Sequence, residues 1–187
     1  MLVAARSRPE VERDLDAIVI PAIAADGTLY PLGKLEAHRQ GALHLAVSVF
    51  VFSGDRLLIQ RRADHKYHCG GQWANTCCTH PFWGELPERC AQRRLFEEVG
   101  IRLPLEPRAV VEYRAEVGNG LTEHERVHVF RGRLDRPEVL TGFNPDEVQD
   151  LRWVDQAELI EEVAANPEAF TPWLRIYLQR WDELGLR

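Results

Sequence analysis

Apolar and polar residues alternate along this chain with two different periods, and the changes of period mark its elements. Asp16 to Ala25 reads as a first strand, closed by a turn at Asp26-Gly27. The run HLAVSVFVF, His44 to Phe52, is rich in β-branched and aromatic residues. Ser53-Gly54-Asp55 then supplies a hairpin turn into a strand over Arg56 to Arg62. From Leu86 to Val99 the pattern turns helical. Leu86, Cys90, Ala91, Leu95 and Val99 fall on one side, and Gly100 is the C-terminal stop. Val110 to Val117 and Val127 to Leu134 read as two further strands, with Gly118-Asn119-Gly120 opening the connection between them. Leu151 to Val154 is a short strand, followed by helices at about Gln156 to Ala164 and Pro172 to Leu184. Strands, a helix, more strands and terminal helices predict an α+β fold, built as an α/β/α sandwich with a mixed β-sheet.

Length and composition narrow this picture. The chain has 187 residues, enough for one domain with a sizeable core. Residues 1–15 form a polar N-terminal arm, extended or helical, and 16–187 a single domain. Hydrophobic residues make up 45% and charged residues 28%, a balance that excludes a disordered chain. The net charge of -6 argues against a general nucleic-acid or membrane-surface partner, since both favour basic faces. The one apolar run near the start, Ala17 to Ala25, follows three acidic residues and contains Pro21, so no secretory signal is expected. Cys69, Cys77, Cys78 and Cys90 are too sparse for a secreted disulfide scaffold, which points to a cytoplasmic protein with free thiols.

Candidate chemistry gathers in a few places. The stretch NTCCTHPFWGE, residues 75–85, sets two cysteines, a histidine and a carboxylate just ahead of the helix. On that helix Arg93 pairs by spacing with Glu97, and Arg94 with Glu98; this is either a solvated ion-paired face or part of a site. Glu123 and Glu125 lie two apart at a strand start, so both carboxylates share one face. Two like charges there repel unless a cation separates them, or the strand end simply faces solvent. His38, His44 and His80 offer imidazoles, and three imidazoles with two carboxylates suit zinc or manganese rather than calcium. His65, His68, His124 and His128 have no such setting and read as surface or packing residues. A thiolate zinc site from Cys69, Cys77 and Cys78 has the wrong spacing. Lys34, Arg62, Lys66 and Arg94 each border one of these elements, as solubilising charges or as a set able to neutralise a diphosphate.

With these residues in view the chain resembles the type 1 isopentenyl-diphosphate isomerases of the Nudix superfamily, from about Asp16 to Trp181. The stretches that carry the resemblance are KLEAHRQGALHLA (34–46), RRADHK (61–66), WANTCCTHP (73–81), RRLFEEVGI (93–101), YRAEVGNGLTEHE (113–125) and FTPW (170–173). The hydrolase signature of that superfamily, laid onto this chain, runs through Thr79, Glu85, Arg93, Leu95, Glu97, Glu98, Gly100 and Ile101. Thr79 stands where the signature has Gly, and Arg94 where it has Glu. A cation in place of a metal-binding carboxylate disfavours pyrophosphate hydrolysis.

The resemblance implies that the chain isomerises isopentenyl diphosphate to dimethylallyl diphosphate, through a tertiary carbocation, for isoprenoid biosynthesis. It implies Cys78 and Glu125 as the acid/base residues, with Tyr113 as the partner of Glu125 and a pocket aromatic. It further implies a Mn2+ or Zn2+ ion on His38, His44, His80, Glu123 and Glu125. A Mg2+ ion brought with the diphosphate matches Glu98 and the backbone carbonyl of Cys78. Lys34, Arg62, Lys66 and Arg94 match diphosphate contacts, and Trp173 matches a second pocket aromatic. Cys77, beside Cys78 in an extended segment, points the other way into the core. The alternatives are a Nudix diphosphate hydrolase and a non-catalytic Nudix binding module. Oligomeric state is not legible in the sequence.

Overall fold

The computed structural model describes residues 17–137 and 140–186. The expected arm, residues 1–15, lies outside them. In chain order the elements are β1 (Val19–Ile23), β2 (Leu29–Gly33), α1 (Lys34–Gln40), β3 (His44–Ser53), β4 (Arg56–Arg62), β5 (Trp73–Asn75) and β6 (Cys77–Thr79). There follow α2 (Pro87–Val99), β7 (Glu106–Gly118), β8 (Leu121–Arg133), β9 (Val148–Asp155), α3 (Gln156–Ala165) and α4 (Pro172–Gln179).

Among the described residues, all nine strands join one mixed sheet. β3 is its hub. It runs parallel to β8 from His44↔Glu125 to Phe52↔Arg133. It is antiparallel to β6 through Val47↔Thr79, Ser48↔Cys78 and Val49↔Cys77. Short antiparallel pairings tie it to β1 and β4, and β4 in turn carries β5 and β9.

The near-continuous apolar run of β3 follows from burial on both faces, since successive side chains of a strand point to opposite sides. Val47, Val49 and Val51 pack with Cys77 against Cys90, Ala91, Leu95 and Val99 of α2. Ala46, Phe50 and Phe52 pack on the other side with Leu174 and Tyr177 of α4 and with Trp181. The Phe50 ring meets Tyr177 and Trp181 edge-on at 5.6 and 5.8 Å. These two layers make the expected α/β/α sandwich. Full burial of each such apolar side chain contributes about 1.5–3 kcal/mol.

Several boundaries differ from the sequence expectation. β8 begins at Leu121, six residues before the expected Val127, and Asn119-Gly120 alone makes the hairpin turn, since Gly118 pairs with Leu121. Both turn residues have positive φ, 55° and 71°, which Asn-Gly supplies at low cost. The polar sequence TEHER masks this stretch because its inward residues are charged. The helix expected over Pro172 to Leu184 stops at Gln179 and resumes as a 3-10 turn, Trp181–Leu184. Leu86 is 58% exposed at the start of α2 rather than on its buried face. β2, α1, β5 and β6 are too short to announce themselves by periodicity.

Candidate active site and metal centre

Strand register assembles the site. His44, Glu125 and Tyr113 lie side by side on β3, β8 and β7. Four residues along β3, Ser48 points to the same face and is paired with Cys78 of β6. β6 and β8 flank β3 on its two edges, so Cys78 and Glu125 reach one pocket from opposite sides. Cys77 faces the α2 layer and is fully buried there, as expected.

The histidines converge as the sequence suggested. His38, His44, His80 and Glu123 each offer a ligand atom, and these atoms lie within 4.8 Å of one another, all four residues being buried. Glu123 Oε2 is 3.1 Å from His38 Nε2, 3.7 Å from His44 Nε2 and 3.6 Å from His80 Nε2. Glu125 Oε1 adjoins this group, 2.8 Å from His80 Nε2 and 3.9 Å from His44 Nε2. His38 Nδ1 donates to the carbonyl of Lys34 at 2.6 Å, and His44 Nδ1 to that of Ala42 at 2.7 Å. A carbonyl accepts only, so Nδ1 of each ring carries a proton, and Nε2 is the atom turned toward Glu123. His44 Nε2 and Glu123 Oε2 are buried without any hydrogen-bond partner. Buried polar atoms left open in this way are expensive, and a divalent cation would satisfy them together. The donor set, imidazole nitrogens with carboxylate oxygens, fits Mn2+ or Zn2+.

Electrostatics agree with that fit. Burial lowers His80 to about 4 and holds His44 below its ordinary value, which keeps both rings neutral. Burial pushes the Glu123 carboxyl up, but the imidazoles around it, His38 foremost, outweigh this and hold it well down. Glu125 is driven upward by burial and by the neighbouring Glu123.

One histidine was misread. His68, expected to be a surface or packing residue, is buried with Nε2 3.1 Å from Glu123 Oε1. Its loop carries no periodic pattern, so only the fold brings it to the carboxylate. His124 instead bonds the carbonyl of Gly41, and His65 is exposed, in line with their expected roles.

Cys78 and Glu125 each carry a defined partner. The Cys78 thiol donates to Asn75 Oδ1 at 2.7 Å and lies 3.2 Å from Ser48 Oγ, which in turn meets Tyr177 OH at 2.8 Å. Burial pushes this thiol well above its ordinary range. Tyr113 OH donates to Glu125 Oε2 at 2.6 Å. Asn75, Ser48 and Tyr177 were not anticipated as site residues: Asn75 opens the stretch NTCCTHPFWGE but carried no expected role, and Ser48 and Tyr177 are polar residues within apolar runs.

The same pocket is lined by Lys34, Arg62, Lys66, Arg94, Glu98 and Trp173. Burial, reinforced by Lys66 and Arg94, lowers Lys34 to about 8. Arg62 lies 5.3 Å over the Trp173 ring, so one face of that aromatic is already engaged by a cation. Glu98 is 4% exposed on the buried side of α2, held by Arg94 at 2.6 Å and Gln60 at 3.1 Å. Sequence reasoning missed Glu147. It pairs with Lys66 at 2.5 Å and Arg94 at 3.2 Å, within the cationic set. Arg93 points away from this pocket, clamping Glu85 through both carboxylate oxygens at 2.7 Å.

Residues 42–174 match the family model of the NUDIX domain. An isopentenyl-diphosphate Delta-isomerase of Dinoroseobacter shibae is 55% identical over 159 residues, 84% of this chain and 90% of the relative. Its counterpart in Roseobacter denitrificans is 54% identical over 163 residues, 87% of this chain and 92% of that one. Among solved structures, DR0079 from Deinococcus radiodurans superposes with a TM-score of 0.68 at 19% identity, covering 87% of this chain and 98% of that chain. The MutT protein of Methanosarcina mazei does so at 0.58 and 17% identity, over 75% of this chain and 93% of its own. These two likenesses bear on the fold alone. By domain and by sequence, the chain belongs to the isopentenyl-diphosphate Delta-isomerases of the NUDIX-domain family.

Proposed function

We propose that the chain converts isopentenyl diphosphate to dimethylallyl diphosphate in isoprenoid biosynthesis. One proton is added at the terminal alkene carbon, giving a tertiary carbocation, and one is removed from C2. The observation that supports this most directly is that Cys78 and the Glu125–Tyr113 pair open onto the same pocket as four cationic side chains. Two proton-handling groups on opposite edges of β3 suit a flat allylic fragment held between them. Asn75 and Ser48 orient the Cys78 thiol, and Tyr113 orients Glu125. Burial of Glu125 and Trp173, with Cys78 partly buried beside them, keeps water from a cation it would quench. Lys34, Arg62, Lys66 and Arg94 would grip the diphosphate, with Arg62 steadied on Trp173.

His38, His44, His80, Glu123 and Glu125 would hold one Mn2+ or Zn2+ ion. Glu98, with the backbone carbonyl of Cys78, would hold the Mg2+ that accompanies the substrate. When bound, these ions supply positive charge that relieves the paired carboxylates and acidifies groups attached to them. The free thiols of Cys69, Cys77, Cys78 and Cys90 support a cytoplasmic setting. Among the described residues no helix is long and apolar enough to cross a membrane.

The test is incubation of purified protein with isopentenyl diphosphate and Mg2+, following allylic product and inorganic phosphate together. Allylic product without phosphate is expected. Phosphate without allylic product would establish a hydrolase instead, and neither product would leave a binding module.

A further inference from the structure

His68 lies in the loop between β4 and β5, outside every regular element, yet only 4% of it is exposed. It divides the Glu123 carboxylate in two. His38, His44 and His80 are paired with Oε2, whereas among the described histidines His68 Nε2 is the one paired with Oε1, at 3.1 Å. A carboxylate oxygen only accepts, so Nε2 carries the proton. Its Nδ1 is buried without a hydrogen-bond partner, so among the described residues the contact with Glu123 is the polar interaction that holds the ring. The ring is fixed edge-on to Tyr67 at 4.2 Å and to Trp173 at 5.8 Å. The His68 carbonyl also accepts from Arg62 at 3.3 Å.

We infer that His68 is a positioning residue for the metal centre: its Nε2–H pins Glu123 Oε1 so that Oε2 stays turned toward the ion and the three imidazoles. A freely rotating carboxylate would instead lose rotational freedom on binding, at a cost in affinity. The inference rests on reading the His38, His44, His80 and Glu123 cluster as a metal site.

Chelator-stripped full-length protein, wild type and variants, is titrated with Zn2+ and separately with Mn2+ against a competing chelator. His68→Ala is expected to weaken binding by roughly tenfold to a hundredfold. His68→Gln carries an amide nitrogen at the reach of the imidazole Nε2 and is expected to recover most of that loss. His68→Asn, whose donor is one bond short, is expected to remain weak. Wild-type affinity in His68→Ala overturns the inference, and so does a Gln variant no tighter than the Asn variant. The Gln and Asn pair decides the matter if the Ala variant does not fold. Wild type that takes up no metal overturns the metal-site reading and the inference together, whereas uptake unaffected by these substitutions overturns the inference alone.

Discussion

The Cys78 thiol donates to Asn75, beside Ser48, while its neighbour Cys77 is sealed beneath α2. Cys78→Ala is therefore expected to lower turnover by orders of magnitude with the fold and metal content close to wild type. Cys77→Ala removes one sulfur from a packed cluster, costs about 1–2 kcal/mol of stability and leaves turnover within a few-fold. Parallel measurement of kcat, thermal midpoint and bound metal checks both, and a dead Cys77 variant beside an active Cys78 variant would reverse the assignment. The split between these neighbours was legible in the sequence, since alternation in an extended segment puts adjacent residues on opposite faces. The place of His68 was not. No local pattern marks a loop histidine whose partner, Glu123, lies on a distant strand.

Helix α2 shows what an element adds to its residues. Its apolar stripe and its Gly100 stop were readable from spacing, as was the pairing of Arg94 with Glu98. What spacing could not give is Glu147, which reaches Arg94 from the chain just before β9. Arg94 thus stands among three carboxylates, Glu97, Glu98 and Glu147. Burial lowers its basicity, but Glu98 and Glu147 outweigh that and hold the guanidinium firmly charged. Arg94→Ala is expected to raise KM for isopentenyl diphosphate roughly tenfold to a hundredfold, as loss of one charge-assisted contact worth about 1.5–3 kcal/mol implies. Arg94→Glu is expected to be far worse, without gaining phosphate release; steady-state assays of both products check this.

At the other end of the helix, Gly100 has φ of +79° and lies against Gly142, whose carbonyl oxygen would be 2.8 Å from an added Cβ. Gly100→Ala is therefore expected to cost more than about 1 kcal/mol, read as a shift in denaturant midpoint with little change in KM.

For the whole molecule, Glu147 ties the site to acid stability. Burial pushes the Glu147 carboxyl up, yet Lys66 and Arg94 more than offset this and hold it at about 2. A carboxyl depressed from 4.5 on folding contributes stability that is fully present above about pH 4.5 and is lost as pH falls toward 2. Glu147→Gln is expected to be less stable than wild type at neutral pH by on the order of 1–3 kcal/mol, with the gap closing between pH 4.5 and 2. Urea unfolding of both proteins across that range checks the sign; a gap that widens on acidification would refute it. The sandwich itself was foreseeable, because only a doubly covered strand reads like HLAVSVFVF. The sheet order was not, since the parallel pairing of β3 with β8 joins segments far apart in sequence and leaves no local trace.

That parallel pairing has a temporal consequence. A chain growing from its N-terminus presents His38, His44 and His80 well before Glu123 and Glu125 are made. Until β8 docks along β3, those imidazoles are a loose group without a carboxylate to gather them. An ion held by that cluster would gain its carboxylate ligands only once β8 has closed along β3, which would make it a late lock on the fold.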